Sequence, residues 1–219
     1  MKRVLLFGLV LLIGVVISYT MFVQQPEKPL PIINPTDVKE EMVDSELLGI
    51  GQGHTIGSFS FTNQDGINVT ESEIAGKVFV AEYFFSTCKS ICPIMNQQMQ
   101  RVQKKFKGNN ALKILSFTVD PLIDNPKTLK NYAITHGYVN GQWHFLTGSK
   151  SALYSLARKS FFVLKPAEAE NIGDAGSDFI HTNNFVLIDK QRRIRGYYDG
   201  TNFEEIDKLI VDIERLLIE

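Results

Sequence analysis

Val78-Phe79-Val80-Ala81-Glu82-Tyr83-Phe84-Phe85 is an almost unbroken apolar run, and the chain's only two cysteines follow it at once in Thr87-Cys88-Lys89-Ser90-Ile91-Cys92-Pro93. A short run this rich in β-branched and aromatic residues reads as a buried strand. Pro93 suits the first turn of a helix, where its missing N–H costs nothing, and Ile94 to Phe106 reads as that helix. The two sulfurs therefore lie in a loop between the end of a sheet strand and a helix N-terminus. Unpaired amides and the helix dipole favour thiolate there, the form that reacts and binds metal. Such a pair closes a disulfide or holds a soft metal. The plain alternative is a pair of small hydrophobes buried in a core.

Residues Val4 to Val23 form an uncharged apolar run preceded by Lys2 and Arg3. The run is long enough to cross a bilayer and lacks a small-x-small exit, so residues 1–23 read as an uncleaved anchor, with a signal peptide as the alternative. Lys2 and Arg3 stay on the cytoplasmic side, which sends the rest to the outer face. Residues 24–53 hold Pro26, Pro29, Pro31 and Pro35 without helical periodicity and read as an extended tether. Residues 54–219 suit one compact domain. With Lys2 and Arg3 set aside, 21 basic residues face 24 acidic ones and no basic stripe interleaves with aromatics, so nucleic acid is not an expected partner.

Within the domain, residues 59–62 and 67–70 alternate in polarity around Asn63-Gln64-Asp65-Gly66, a hairpin pattern. Strands follow at 78–85, 112–119, 143–147, 183–188 and 194–198, with helices at 93–106, 126–136, 150–160 and 203–217. In the last helix, Phe203, Ile206, Leu209, Ile210, Ile213, Leu216 and Leu217 recur at three and four, one stripe for packing on a sheet. Strand–helix–strand crossovers closed by a hairpin and a helix imply a three-layer α/β domain with a mixed central sheet. The cysteine pair at the top of the first central strand points to a thioredoxin-like arrangement.

The domain resembles the Sco family, also called SenC, membrane-anchored thioredoxin-fold copper proteins associated with cytochrome c oxidase assembly. The resemblance rests on Phe59–Gly66 with Gly76-Lys77, on Cys88-x-x-x-Cys92-Pro93, and on Ser116-Phe117-Thr118-Val119-Asp120-Pro121 followed by Asp124 and Pro126. It continues in Trp143-x-x-Leu146-Thr147-Gly148 and in His181-Thr182 before Phe185–Asp189. The resemblance implies three metal ligands, Cys88, Cys92 and His181. Cu(I) is soft and accepts low coordination numbers, so two thiolates and an imidazole suit it, whereas structural zinc asks for a fourth protein ligand. Cu(II) is the alternative oxidation state. Asp120 and Asp124 are auxiliary candidates for tuning the site. The family usually has proline directly after its first cysteine. Here Lys89 stands in that place, leaving both sulfurs intact but altering loop stiffness and adding a positive charge.

The resemblance implies a copper chaperone that is not an enzyme. Its partners are the copper-centre subunit of a respiratory oxidase, a copper donor or thiol–disulfide partner, and the membrane. The rival is a thiol–disulfide oxidoreductase with Cys88 attacking and Cys92 resolving. The spacing is one residue longer than Cys-x-x-Cys, and His181-Thr182 stands where thioredoxins usually carry a substrate-clamping proline. A structural disulfide closing so short a loop would constrain little of the unfolded chain. His54, His136 and His144 take the ordinary structural or solvent-facing reading, His136 at a helix end just before Gly137.

Overall fold

The computed structural model describes residues 2–23, 28–163 and 183–219. It divides into two compact units, residues 1–30 and 31–219. In the first, Lys2–Val23 forms helix α1. Its side chains are described for residues 7–19, and all of them are exposed. Among the described residues no helix is long and apolar enough to cross a membrane. The expected anchor is thus present as a helix, and its membrane-spanning character is not found in the described structure.

The second unit is built on strands β1 (Ser60–Asn63), β2 (Asn68–Thr70), β3 (Val78–Phe84), β4 (Leu112–Thr118), β5 (Trp143–Thr147), β6 (Asn184–Ile188) and β7 (Ile194–Asp199). They form one sheet in the order β2-β1-β5-β4-β3-β6-β7. β3, β4 and β5 are parallel, while β6 runs antiparallel to β3 and β1 antiparallel to β5. The sheet is mixed, as the crossover pattern requires, and the fold is thioredoxin-like. Helices α2 (Cys92–Lys105), α3 (Pro126–Thr135), α4 (Lys150–Lys159) and α5 (Phe203–Ile218) complete the layers. Their starts carry local signals. Asn125, Ser149 and Asn202 accept hydrogen bonds from the amides of Thr128, Ala152 and both Glu204 and Glu205, and Pro126 follows its cap directly.

Period-two alternation divides the central strands between two faces. Phe79, Ala81 and Tyr83 of β3 join Leu115, Phe117 and Val119 in a core closed by Leu153, Tyr154, Leu156 and Ala157 around α4. The residues between them, Val78, Val80, Glu82 and Phe84, point to the opposite face. There Phe84 meets Tyr132 of α3, and α2 bonds to α3 through Asn96–Tyr132 and pairs with α5 through Arg101–Asp207.

The segment expected as a tether over 24–53 lies on the domain from Pro31 onward. Ile33 bridges to Ile194, the Pro31 carbonyl accepts from Arg195 Nε at 3.0 Å, and Asn34 Oδ1 accepts from the His54 amide at 3.3 Å. Three single 3-10 turns, Pro35–Asp37, Glu40–Met42 and Ser45–Leu47, carry Val43 into the α4-side core. These short turns have no periodicity to read, and prolines that suit an extended spacer suit a strap packed on a surface equally well.

Candidate metal and thiol site

Beyond β3 the chain continues through Phe85 and Ser86 into a turn in which the Cys88 amide donates to the Phe85 carbonyl at 3.2 Å. Cys92 is the first residue of α2, followed directly by Pro93. Both cysteines are free thiols, Cys88 partly exposed and Cys92 buried. Their surroundings drive them apart. Burial pushes the Cys88 thiol up, but hydrogen bonds from the Ser90 hydroxyl, the Cys92 thiol and the Cys92 and Ser90 amides outweigh it and lower the group to about 7. The Ser90 oxygen lies 3.5 Å from the Cys88 sulfur. The helix N-terminus thus acts on Cys88 through the Cys92 amide. Burial pushes the Cys92 thiol up to about 12, opposed by the Phe85 amide and reinforced by the charges of Cys88 and Glu82. The pair is thus an accessible sulfur with its thiolate favoured beside a buried one with its thiolate disfavoured, which is the division of labour of an attacking and a resolving thiol.

Beneath α2 lies a carboxyl group. Glu82 is 3% exposed in the middle of β3, and desolvation raises it to about 7 against the hydrogen bond from Ser116 Oγ. Ser116 sits opposite it in register on β4, donates at 2.5 Å, and accepts from Trp143 Nε1 at 2.8 Å. Tyr132 of α3 feels the charges of Glu82, Cys92 and Cys88, and its hydroxyl accepts from Asn96 Nδ2 at 3.1 Å. Sequence reasoning passed over Glu82 and Tyr132. The available signal was a lone glutamate amid an apolar strand.

The other candidates separate. Asp124 is fully buried, its carboxylate accepting from the Ser86 amide, the Ser86 hydroxyl and the Thr118 hydroxyl. Asp120 is half-buried at the head of the same turn, its amide donating to Thr118 Oγ1 at 3.0 Å. His181 lies outside the described residues. Among the described residues no group of three or more His, Cys, Asp or Glu is arranged to hold a metal. The remaining histidines are structural. His54 Nε2 bonds the Ser160 carbonyl at 2.9 Å, His136 terminates α3 and lies against Tyr132, and His144 is buried with Asn63 Nδ2 at 3.4 Å from its Nδ1.

A thioredoxin-like domain with an acidic, accessible thiol and a buried partner at a helix N-terminus defines a dithiol protein, equipped for disulfide exchange or for binding a soft metal. The family model SCO1/SenC matches residues 49–218. The chain belongs to the SCO1/SenC family. A SCO1 protein homolog of Bacillus subtilis is 36% identical over 159 residues, covering 71% of this chain and 79% of the relative. The solved structure of BsSco, described as a member of the Sco family of cytochrome c oxidase assembly proteins and as containing a disulfide switch, is 34% identical. It superposes with a TM-score of 0.63 over 74% of this chain and 93% of that one. Bradyrhizobium japonicum ScoI with copper bound shares the fold at 21% identity and a TM-score of 0.58, over 75% of this chain and 99% of that one.

Proposed function

We propose that this protein is a copper carrier that takes Cu(I) through Cys88, Cys92 and His181 and delivers it to the dinuclear copper centre of a respiratory oxidase. It acts as a carrier rather than an enzyme. The apolar run at residues 4–23 holds it at the outer face of a membrane. The observation that carries the reading is the cysteine pair itself: two sulfurs at the mouth of a thioredoxin-like sheet, in a chain of a family whose relatives include copper-bound and oxidase-assembly proteins. A soft monovalent ion prefers such sulfurs. A disulfide does not ligate it as two thiolates do, so loading requires the reduced state.

The test is titration of the reduced, detergent-solubilised full chain with Cu(I), with X-ray absorption spectra of the complex. About one Cu(I) per chain is expected, lost in Cys88→Ser and in Cys92→Ser because a hydroxyl is a poor soft-metal ligand. Unchanged stoichiometry and affinity in both would overturn the assignment. The second reading, disulfide exchange, is favoured by the split between an acidic Cys88 and a hidden Cys92. His181→Ala separates the two. A carrier loses Cu(I) affinity while its thiols still cycle, whereas an exchanger, which works through the two sulfurs alone, keeps full oxidase copper loading in cells.

A further inference from the structure

The peptide group between Phe85 and Ser86 is held at both ends. Its carbonyl accepts from the Cys88 amide at 3.2 Å, and its N–H donates to Asp124 Oδ2 at 3.1 Å. The preceding amide, that of Phe85, is directed at the Cys92 sulfur. Successive amides of an extended chain point to opposite sides, so one side of this segment serves Cys92 and the other is gripped by Asp124. The grip is firm. Asp124 is 0% exposed, its other oxygen takes the Ser86 hydroxyl, and Thr118 Oγ1 donates to the oxygen that holds the Ser86 amide. Asp124 is itself fixed by its amide, which donates to the Asp120 carbonyl at 2.9 Å, and the adjoining chain by the Val119 amide on the Phe84 carbonyl at 2.9 Å. All the named partners of this buried carboxylate are hydroxyls and an amide. Burying a polar group is expensive unless it is hydrogen-bonded, and three convergent donors meet that cost only when their geometry is kept.

We propose that Asp124 is a positioning residue for the thiol pair: by anchoring the Phe85–Ser86 peptide it fixes the carbonyl on which the Cys88 amide finds its hydrogen bond, and so the turn that carries Cys88. Release of that anchor lets the peptide plane turn, and with it the carbonyl that takes the Cys88 amide, while the Phe85 N–H lies in the preceding peptide plane, which the Val119 amide holds at the Phe84 carbonyl. The role differs from that of a metal ligand, because Asp124 acts through the backbone that carries the sulfurs. The inference rests on Cys88 and Cys92 being the working pair and is independent of what they carry.

The test measures the equilibrium of the Cys88–Cys92 pair with reduced and oxidised glutathione, and the rate of Cys88 alkylation at fixed pH, in the metal-free, detergent-solubilised full chain. Asp124→Ala should move the glutathione equilibrium constant at least tenfold and the alkylation rate at least threefold. Asp124→Asn keeps an oxygen for the Ser86 amide and turns its NH2 toward the rotatable Ser86 hydroxyl, so both values should stay within about threefold of the parent. Asp212→Asn on α5, which loosens a buried contact to Tyr198 of β7, should lower the melting temperature without moving either. If Asp124→Ala lowers the melting temperature but leaves both thiol readouts at parental values, the role is structural and the proposal falls. Should that variant fail to fold, Thr118→Val, which removes one hydroxyl from the carboxylate, decides: a shift in the same direction supports the anchor and parental values overturn it. Loss of Cu(I) binding in Asp124→Asn with an untouched glutathione equilibrium would assign a ligand role instead. Copper stoichiometry can fail while the glutathione result stands, so this inference and the copper reading are judged separately.

Discussion

The two faces of the central sheet are filled differently. On the α4 side, Phe59, Phe61, Tyr83, Phe117 and Phe161 form a continuous aromatic cluster, and the 31–53 strap adds Val43 to it. On the α2 side the same strands bury Glu82, Ser116 and the Trp143 indole N–H beneath the helix that begins with Cys92. An apolar face stabilises without distinguishing one protonation state from another. A face inlaid with a carboxyl group and hydroxyls gives up some of that stability and gains an electrostatic environment that tunes sulfurs. The comparison teaches that this fold sets a buried carboxyl and hydroxyls beneath the cysteine-bearing helix, among apolar side chains such as Val80, Ile114 and Phe145 that pack that side as well.

The largest expected effect tests the first half. Phe117 is fully buried against the rings of Phe59, Phe61, Tyr83 and Phe161, so Phe117→Ala should cost about 3–5 kcal/mol in denaturant unfolding. Because Phe117 faces away from α2, the alkylation rate of Cys88 in the folded variant should be unchanged. A changed rate would break the division between the faces.

Glu82 sharpens the second half. Its carboxyl is raised to about 7 in the folded chain, so the native state keeps a proton that the unfolded chain has already released. The resulting stability is fully present below the unfolded carboxyl value and is lost as pH rises through about 7, a change on the order of 3 kcal/mol. Unfolding free energies measured across that window should therefore fall with pH in the parent and run flatter in Glu82→Gln. Parallel curves would mean that the carboxyl is not desolvated.

A smaller effect concerns the sulfurs. Cys88 is lowered to about 7 and Cys92 raised to about 12, so alkylation of Cys88 should fall about tenfold per pH unit below 7 and level off above 8, while Cys92 reacts slowly throughout. Cu(I) binding by both sulfurs must then expel two protons below pH 7 and one above it, so its affinity should rise more steeply with pH in the acidic range. Equal reactivity of the two thiols would remove the asymmetry. The smallest effect is at the strap. Val43→Ala trims a buried contact at the edge of the α4-side core and should cost about 1 kcal/mol with no change in thiol chemistry.

Much of this architecture is visible in the chain. The apolar run at 78–85, the Pro93 signal and the stripe of the last helix correspond to β3, α2 and α5, because period and capping are local properties that survive into the fold. The cysteine loop is equally legible, since it lies between two such elements. The strap was not, because single 3-10 turns leave no period, and what makes them part of the domain is contact with Ile194 and Arg195, far along the chain. Asp124 shows the same limit. Its residue type stands out beside Asp120, but its partner Ser86 is 38 positions away, and only the parallel pairing of β3 with β4 brings their ends together.

By itself the sequence determined the element order, the thioredoxin-like class and the two sulfurs of the candidate site, since these follow from local pattern and residue chemistry. Only the tertiary structure decided which sulfur is acidic and which is hidden, that Glu82 lies beneath the helix, and that Asp124 grips the peptide before Cys88. Those properties depend on burial and on hydrogen bonds between separate elements, and neither exists until the chain has closed on itself.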